Sequence, residues 1–125
     1  TDLENGYKQV PIHPDDFELL GFMVDSKFYY DKTLPFGLSY SCNLFENFSS
    51  ALQWIVQTKF SVQYCVHLLN DFLFIGPPQS SKCYSDLMAF YILAQKIRLP
   101  INSKKNSLSN NNDHFSRVGT RYSHV

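Results

Sequence analysis

Nowhere in the chain do apolar residues continue for the roughly 18 positions that a membrane-crossing helix needs, and no signal-peptide pattern is present, so a membrane role has no support. Net charge is missing too: 11 basic and 11 acidic residues balance to a formal charge of zero. That excludes a strong non-specific nucleic-acid binder, which needs a basic field of its own. It leaves open a domain whose basic groove is supplied by other parts of a larger protein. Cysteine is scarce. Cys42, Cys65 and Cys83 show no CxxC spacing, and an odd, scattered set argues against a zinc or disulfide framework. They read as buried thiols in a reducing compartment, hence an intracellular protein, cytoplasmic or nuclear. An initiating methionine is also missing, and the chain that opens at Thr1-Asp2 reads as a fragment.

What remains is apolar and aromatic. The 125 residues are 44% hydrophobic and include 11 Phe and 8 Tyr, a globular composition with enough material for one core. That character stops near residue 105. Asn106 onward is rich in Asn and Ser with only isolated Phe115, Val118 and Tyr122, and residues 106–125 are expected to be disordered.

Taken in order, Thr1 to Ile12 alternates loosely and predicts a strand or extended segment, with Pro11 near its end. His13 to Gly21 predicts one or two helical turns, with Pro14 at the first position, Asp15 and Asp16 on the N-terminal dipole and Gly21 as the stop. Phe22–Val24 and Lys27–Tyr30 flank Asp25-Ser26 as a hairpin. Ser39 or Ser41 can cap the next helix, in which Leu44, Phe45, Phe48, Ala51, Leu52, Ile55 and Val56 fall at helical spacing. A second helix is capped by Ser80 or Ser81 and runs to about Arg98. Tyr84, Leu87, Met88, Tyr91, Ala94 and Ile97 form its inner face, and Pro100 ends it. Between the helices, Gln63–Val66 and Phe72–Ile75 flank a polar pair, predicting a tight turn at Asn70-Asp71 that mounts one carboxylate at its tip. Such a mount suits a metal ligand, provided the fold brings a second acid to it. Taken singly, Tyr7 is a core aromatic, Gly37 a turn glycine and Asp71 a turn-former.

Their joint order says more. An acid opens Asp2-Leu3-Glu4-Asn5-Gly6-Tyr7, Leu34-Pro35-Phe36-Gly37-Leu38-Ser39 leads into a helix, and the Asn70-Asp71 hairpin follows. With the strings PIHPDDFELLGF (11–22), KFYYDKTLPFGLS (27–39) and HLLNDFLFIGPP (67–78), residues 1 to about 105 resemble the palm of reverse transcriptases of DIRS-like, tyrosine-recombinase retrotransposons. The resemblance implies an α+β fold, with a three- or four-stranded antiparallel palm sheet, two helices on one face, and order β-α-β-β-α if the middle hairpin projects as a flap. On that resemblance the chain is expected to be a palm fragment without the fingers, thumb and ribonuclease H parts.

The resemblance also implies roles. Asp2 matches the first-motif acid that holds both magnesium ions, and Tyr7 the aromatic residue that closes the sugar pocket. Phe36 and Gly37, between Pro35 and Leu38, match the loop beside the incoming nucleotide. Asn70 and Asp71 occupy the two acidic positions of the Tyr-x-Asp-Asp box, with Leu68 at the tyrosine, so Asp2 and Asp71 are the expected metal ligands. The implied reaction is RNA-directed DNA synthesis by two-metal nucleotidyl transfer, with Mg²⁺ as cofactor and template-primer and dNTP as partners. Asn70 departs from the pattern. Asparagine keeps a carbonyl oxygen and gives up the charge that Mg²⁺ prefers, and Asp71 is displaced by one residue to the other face of a strand. The expectation is therefore impaired Mg²⁺ binding, weak nucleic-acid binding and little or no polymerase activity; the alternative is a non-enzymatic interaction module or an untranslated remnant of a mobile element. The tail departs as well. With freely chosen codons for Lys105–Val125, removal of one nucleotide yields KTVYPTTTITFLGLELDTH, which is similar to the family continuation, so residues from about Asn106 are expected to be out of frame.

Overall fold

The computed structural model describes residues 1–102; the expectations for the tail lie outside the described residues. The fold is α+β. Strands β1 (Gly21–Val24) and β2 (Lys27–Tyr30) form one antiparallel hairpin, and β3 (Cys65–Leu68) and β4 (Asp71–Phe74) form another. Helix α1 (Ser39–Lys59) lies between the hairpins in sequence and α2 (Lys82–Lys96) follows them.

The β3–β4 hairpin is the centre of the structure. Cys65, Phe72 and Phe74 are buried on one face, where both helices pack, while Val66, Leu68 and Leu73 are exposed on the other. Strand alternation produces this split because successive side chains leave opposite faces. Phe45, Leu52 and Val56 of α1 and Phe90, Leu93 and Ala94 of α2 complete the core with Leu3, Leu34 and Leu99. Two short segments extend the sheet. Asp2 pairs antiparallel with Asp71, and Leu3 pairs with Ile101, so the chain's first residues lie between β4 and the segment after α2. The spatial order is β3, β4, Asp2–Leu3, Ile101.

Several expectations need correction. The predicted strand over Thr1–Ile12 is limited to the paired residues Asp2 and Leu3, with a separate pairing of Pro11 to Thr33. Asn5 takes a left-handed conformation (φ 50°) and Gly6–Gln9 winds into a 3-10 turn. Asn tolerates that conformation better than most residues. Gly6 is required on packing grounds, because a Cβ there would lie 2.6 Å from the Phe45 ring. The helical turns after His13 are a 3-10 helix, Pro14–Leu20.

The expected β1–β2 hairpin forms, and both Asp25 and Ser26 have positive φ (49° and 60°). Two positive values suit a type I′ turn. All eight strand residues are exposed, and the hairpin is a two-stranded sheet separate from β3–β4. The β3–β4 turn, however, is Leu69-Asn70; Asp71 already belongs to β4 and pairs with Leu68.

Both helices bury or half-bury most of their expected inner faces, with exceptions in each. In α1, Ala51 is exposed and Ser41 and Ser49 are buried. In α2, Tyr84 and Ile97 are exposed while Asp86 and Phe90 face inward. Neither Ser39 nor Ser81 makes a side-chain cap bond; Leu38 precedes α1, and Ser80 Oγ accepts from Lys82 N–H at 3.4 Å.

Candidate functional site

Three distant segments meet around one cavity of about 470 Å³, within the range of small-molecule sites. The first residues contribute Asp2 and Tyr7, the loop before α1 contributes Phe36, and the β3–β4 turn contributes Asn70. A more open groove of about 590 Å³ lies between α2 and Leu99–Ile101, but its lining carries no charged side chain.

Asp2 is only 4% exposed. Its place between β4 and Ile101 is fixed by backbone bonds: Leu3 N–H to Asn70 C=O at 2.9 Å, and Asn102 N–H to Asp2 C=O at 2.9 Å. Asn70 Nδ2 donates to Asp2 Oδ1 at 2.5 Å. The opposite amide orientation would set an oxygen against a carboxylate oxygen, so chemistry supports the donor assignment. The amide therefore presents a hydrogen to one oxygen of the buried carboxylate.

Tyr7 forms the aromatic wall. Its ring meets Phe36 edge to face at 5.0 Å and Phe45 at 5.1 Å. Its hydroxyl lies 3.0 Å from Cys42 Sγ. That hydrogen bond, with burial second, raises the Tyr7 hydroxyl above the ordinary tyrosine value and keeps it protonated. Phe36 is 75% exposed and forms the rim. Gly37 stands outside the lining, at φ 86° with nothing within 4 Å of a notional Cβ. Asp71 is the backbone pairing partner of Asp2, yet it is exposed and outside the lining.

These residues do not fit a two-magnesium centre. Mg²⁺ needs charged oxygen ligands in near-octahedral array. The cavity lining holds one buried carboxylate, Asp2, one exposed carboxylate, Glu4, and an amide that turns its N–H toward Asp2. Among the described residues, no group of three or more His, Cys, Asp or Glu is gathered in a way that could hold a metal. The lining also carries no Lys or Arg that could meet a triphosphate.

Sequence patterns did not reveal the support behind the turn. Glu46 and Ser49 of α1 bond the backbone of Leu69, and His67 of β3 meets Glu46. Asn102 also reaches the cavity. No protein-family model matches the sequence, and no curated protein matches it. Among the described residues, no helix is long and apolar enough to cross a membrane.

Proposed function

We propose that the chain derives from the palm of a retrotransposon reverse transcriptase of the DIRS-like group and that its metal centre has been lost. One observation carries this reading. Asp2, Tyr7, Phe36 and Asn70, which the family resemblance singles out from three separate motifs, line one cavity. Leu3 is the neighbour of Asp2 and Asn70 the neighbour of Asp71, and the two strands are hydrogen-bonded side by side. The loss follows from Asn70: its amide hydrogen occupies the carboxylate that a palm acid would share with magnesium.

The expected behaviour is no primer extension by the chain with Mg²⁺ or Mn²⁺, and no measurable Mg²⁺ binding. Asn70→Asp restores the charge, so a folded N70D protein gains Mg²⁺ binding that the wild type lacks. Extension near the rate of an intact enzyme overturns the proposed loss. A folded N70D protein without any gain in metal binding removes the support for palm descent. The nucleotide sequence tests the same descent independently, through fingers-encoding sequence in frame upstream of Thr1 and a family-like continuation in the alternative frame downstream of Lys105.

A second reading, a non-enzymatic interaction module, is favoured by the flap. Phe28 is 85% exposed and shares one face of the hairpin with exposed Met23, while Phe22 and Tyr29 stack, also exposed, on the other. Exposed apolar surface of this kind can mark interaction sites. Alanine at Phe22 and Phe28 would then abolish partner binding and leave cavity properties unchanged.

A further inference from the structure

Helix α1 grips the β3–β4 turn from behind. Glu46 Oε2 accepts the Leu69 N–H at 3.0 Å, and Ser49 Oγ donates to the Leu69 C=O at 2.5 Å. One helix thus holds both backbone polar groups of one residue. Leu69 sits at φ 51°, a left-handed conformation that costs a leucine about 1–2 kcal/mol and persists only where the surroundings enforce it. The next residue is Asn70, whose amide reaches Asp2.

The grip extends to His67. Glu46 Oε1 lies 2.9 Å from His67 Nε2, and Gln53 Oε1 lies 2.5 Å from His67 Nδ1. The Nε2 N–H can donate to the Glu46 carboxylate, and Nδ1 meets the Gln53 side-chain amide. The ring stacks on Phe72 at 5.5 Å, and the side chain is 9% exposed. Glu46 is the charged group that meets it from α1. The other α1 contacts, Ser50 and Gln53, are neutral, and so is its β4 partner Phe72.

We propose that Glu46 and Ser49 are positioning residues for the Asp2–Asn70 cavity: together they hold Leu69 in its left-handed conformation and so aim the Asn70 amide at Asp2. Their importance for function rests on the cavity being the functional centre; the latch itself does not. His67 Nε2, 2.9 Å away, steadies the Glu46 side chain, which is 43% exposed. Without Glu46 the Leu69 N–H loses its acceptor, the turn relaxes, and the Asn70 amide leaves Asp2.

The test is ¹H–¹⁵N NMR of the full chain with amide hydrogen exchange at one fixed pH. Glu46→Ala and Ser49→Ala should each speed Leu69 exchange about tenfold and shift the Asn70 side-chain NH₂ signals, and Glu46→Gln, which keeps an acceptor for the Leu69 N–H, should restore most of the protection. Unchanged Val56 and Phe90 amides certify the fold. A folded E46A or S49A protein in which Leu69 exchange and the Asn70 NH₂ signals stay as in the wild type overturns the proposal, and so does an E46Q protein as unprotected as E46A. Failure of N70D to bind Mg²⁺ with the E46A and S49A responses intact would count against the palm reading alone.

Discussion

Asn70 Nδ2 stands 2.5 Å from Asp2 Oδ1, joining the β3–β4 turn to a buried carboxylate 68 residues away. The amide hydrogen compensates a charge that is almost fully withdrawn from water. Asn70→Ala is therefore expected to lower the unfolding free energy by about 2 kcal/mol, read from urea transitions. An unchanged midpoint would mean that Asp2 does not depend on Asn70. Asn70→Asp without divalent ions places two carboxylates together and should destabilise more. Part of that loss returns as the pH falls into the carboxylate range, because one of the pair takes up a proton.

Gly6 and Gly37 predict opposite outcomes from the same substitution. A Cβ at Gly6 lies 2.6 Å from Phe45 and 3.3 Å from the Asn70 Cβ, so Gly6→Ala crowds the core and the cavity floor. It should cost about 1–3 kcal/mol. At Gly37 nothing lies within 4 Å, and only its φ of 86° opposes a side chain. Gly37→Ala should cost about 1 kcal/mol through backbone strain and leave the cavity unaltered. Thermal unfolding of the two variants measures the difference, and equal losses would show that Phe45 moves aside freely.

Lys82 and Asp86 test a buried charge. Their Nζ and Oδ1 atoms are 2.6 Å apart, Asp86 is 2% exposed, and its Oδ2 has no hydrogen-bond partner. Lys82→Met strands the carboxylate. Because 40% of the lysine side chain remains exposed and solvent screens the pair, the expected loss is about 2–3 kcal/mol, the low end for buried pairs. Adding Asp86→Leu removes the stranded charge and should recover most of that loss. A double variant as unstable as K82M alone would refute this account.

Cys65 should be the slow thiol. Burial first, and the Asp86 charge second, push it from the ordinary 9.0 up to about 11. At pH 8 its thiolate is scarce, so iodoacetamide should label exposed Cys42 in the folded protein and reach Cys65 only on unfolding. The folded state retains the Cys65 proton to higher pH than the unfolded chain does. Its contribution to stability is accordingly complete below pH 9 and falls as the pH rises toward 11. Equal labelling rates under native conditions would contradict the burial of Cys65.

Periodicity located both α-helices and both hairpins, because apolar spacing and turn residues such as Asp25-Ser26 are local signals. It failed where a polar group is buried for the sake of a distant partner. Ser49 enters the core in place of Ala51 because its hydroxyl meets the Leu69 carbonyl. Asp86 enters because Lys82 lies one turn earlier on α2. The β3–β4 turn lies one residue earlier than its Asn70-Asp71 signal because Glu46 and Ser49 hold Leu69 in a conformation that leucine seldom adopts alone. Asp2, Tyr7, Phe36 and Asn70 were legible as a set through the family resemblance, and they line one cavity. The exclusion of Asp71 from the cavity lining was legible only as the general rule that a one-residue slip changes faces.

The placement of Asp2–Leu3 between β4 and Ile101 also has a kinetic meaning. Helices and tight hairpins close over short loops in microseconds, whereas a contact spanning 68 residues must first overcome the entropy of a long closure. The two hairpins and two helices can therefore assemble before the first residues arrive, and the cavity is the last wall to be built. A folding intermediate of this chain would have a nearly complete core and no site.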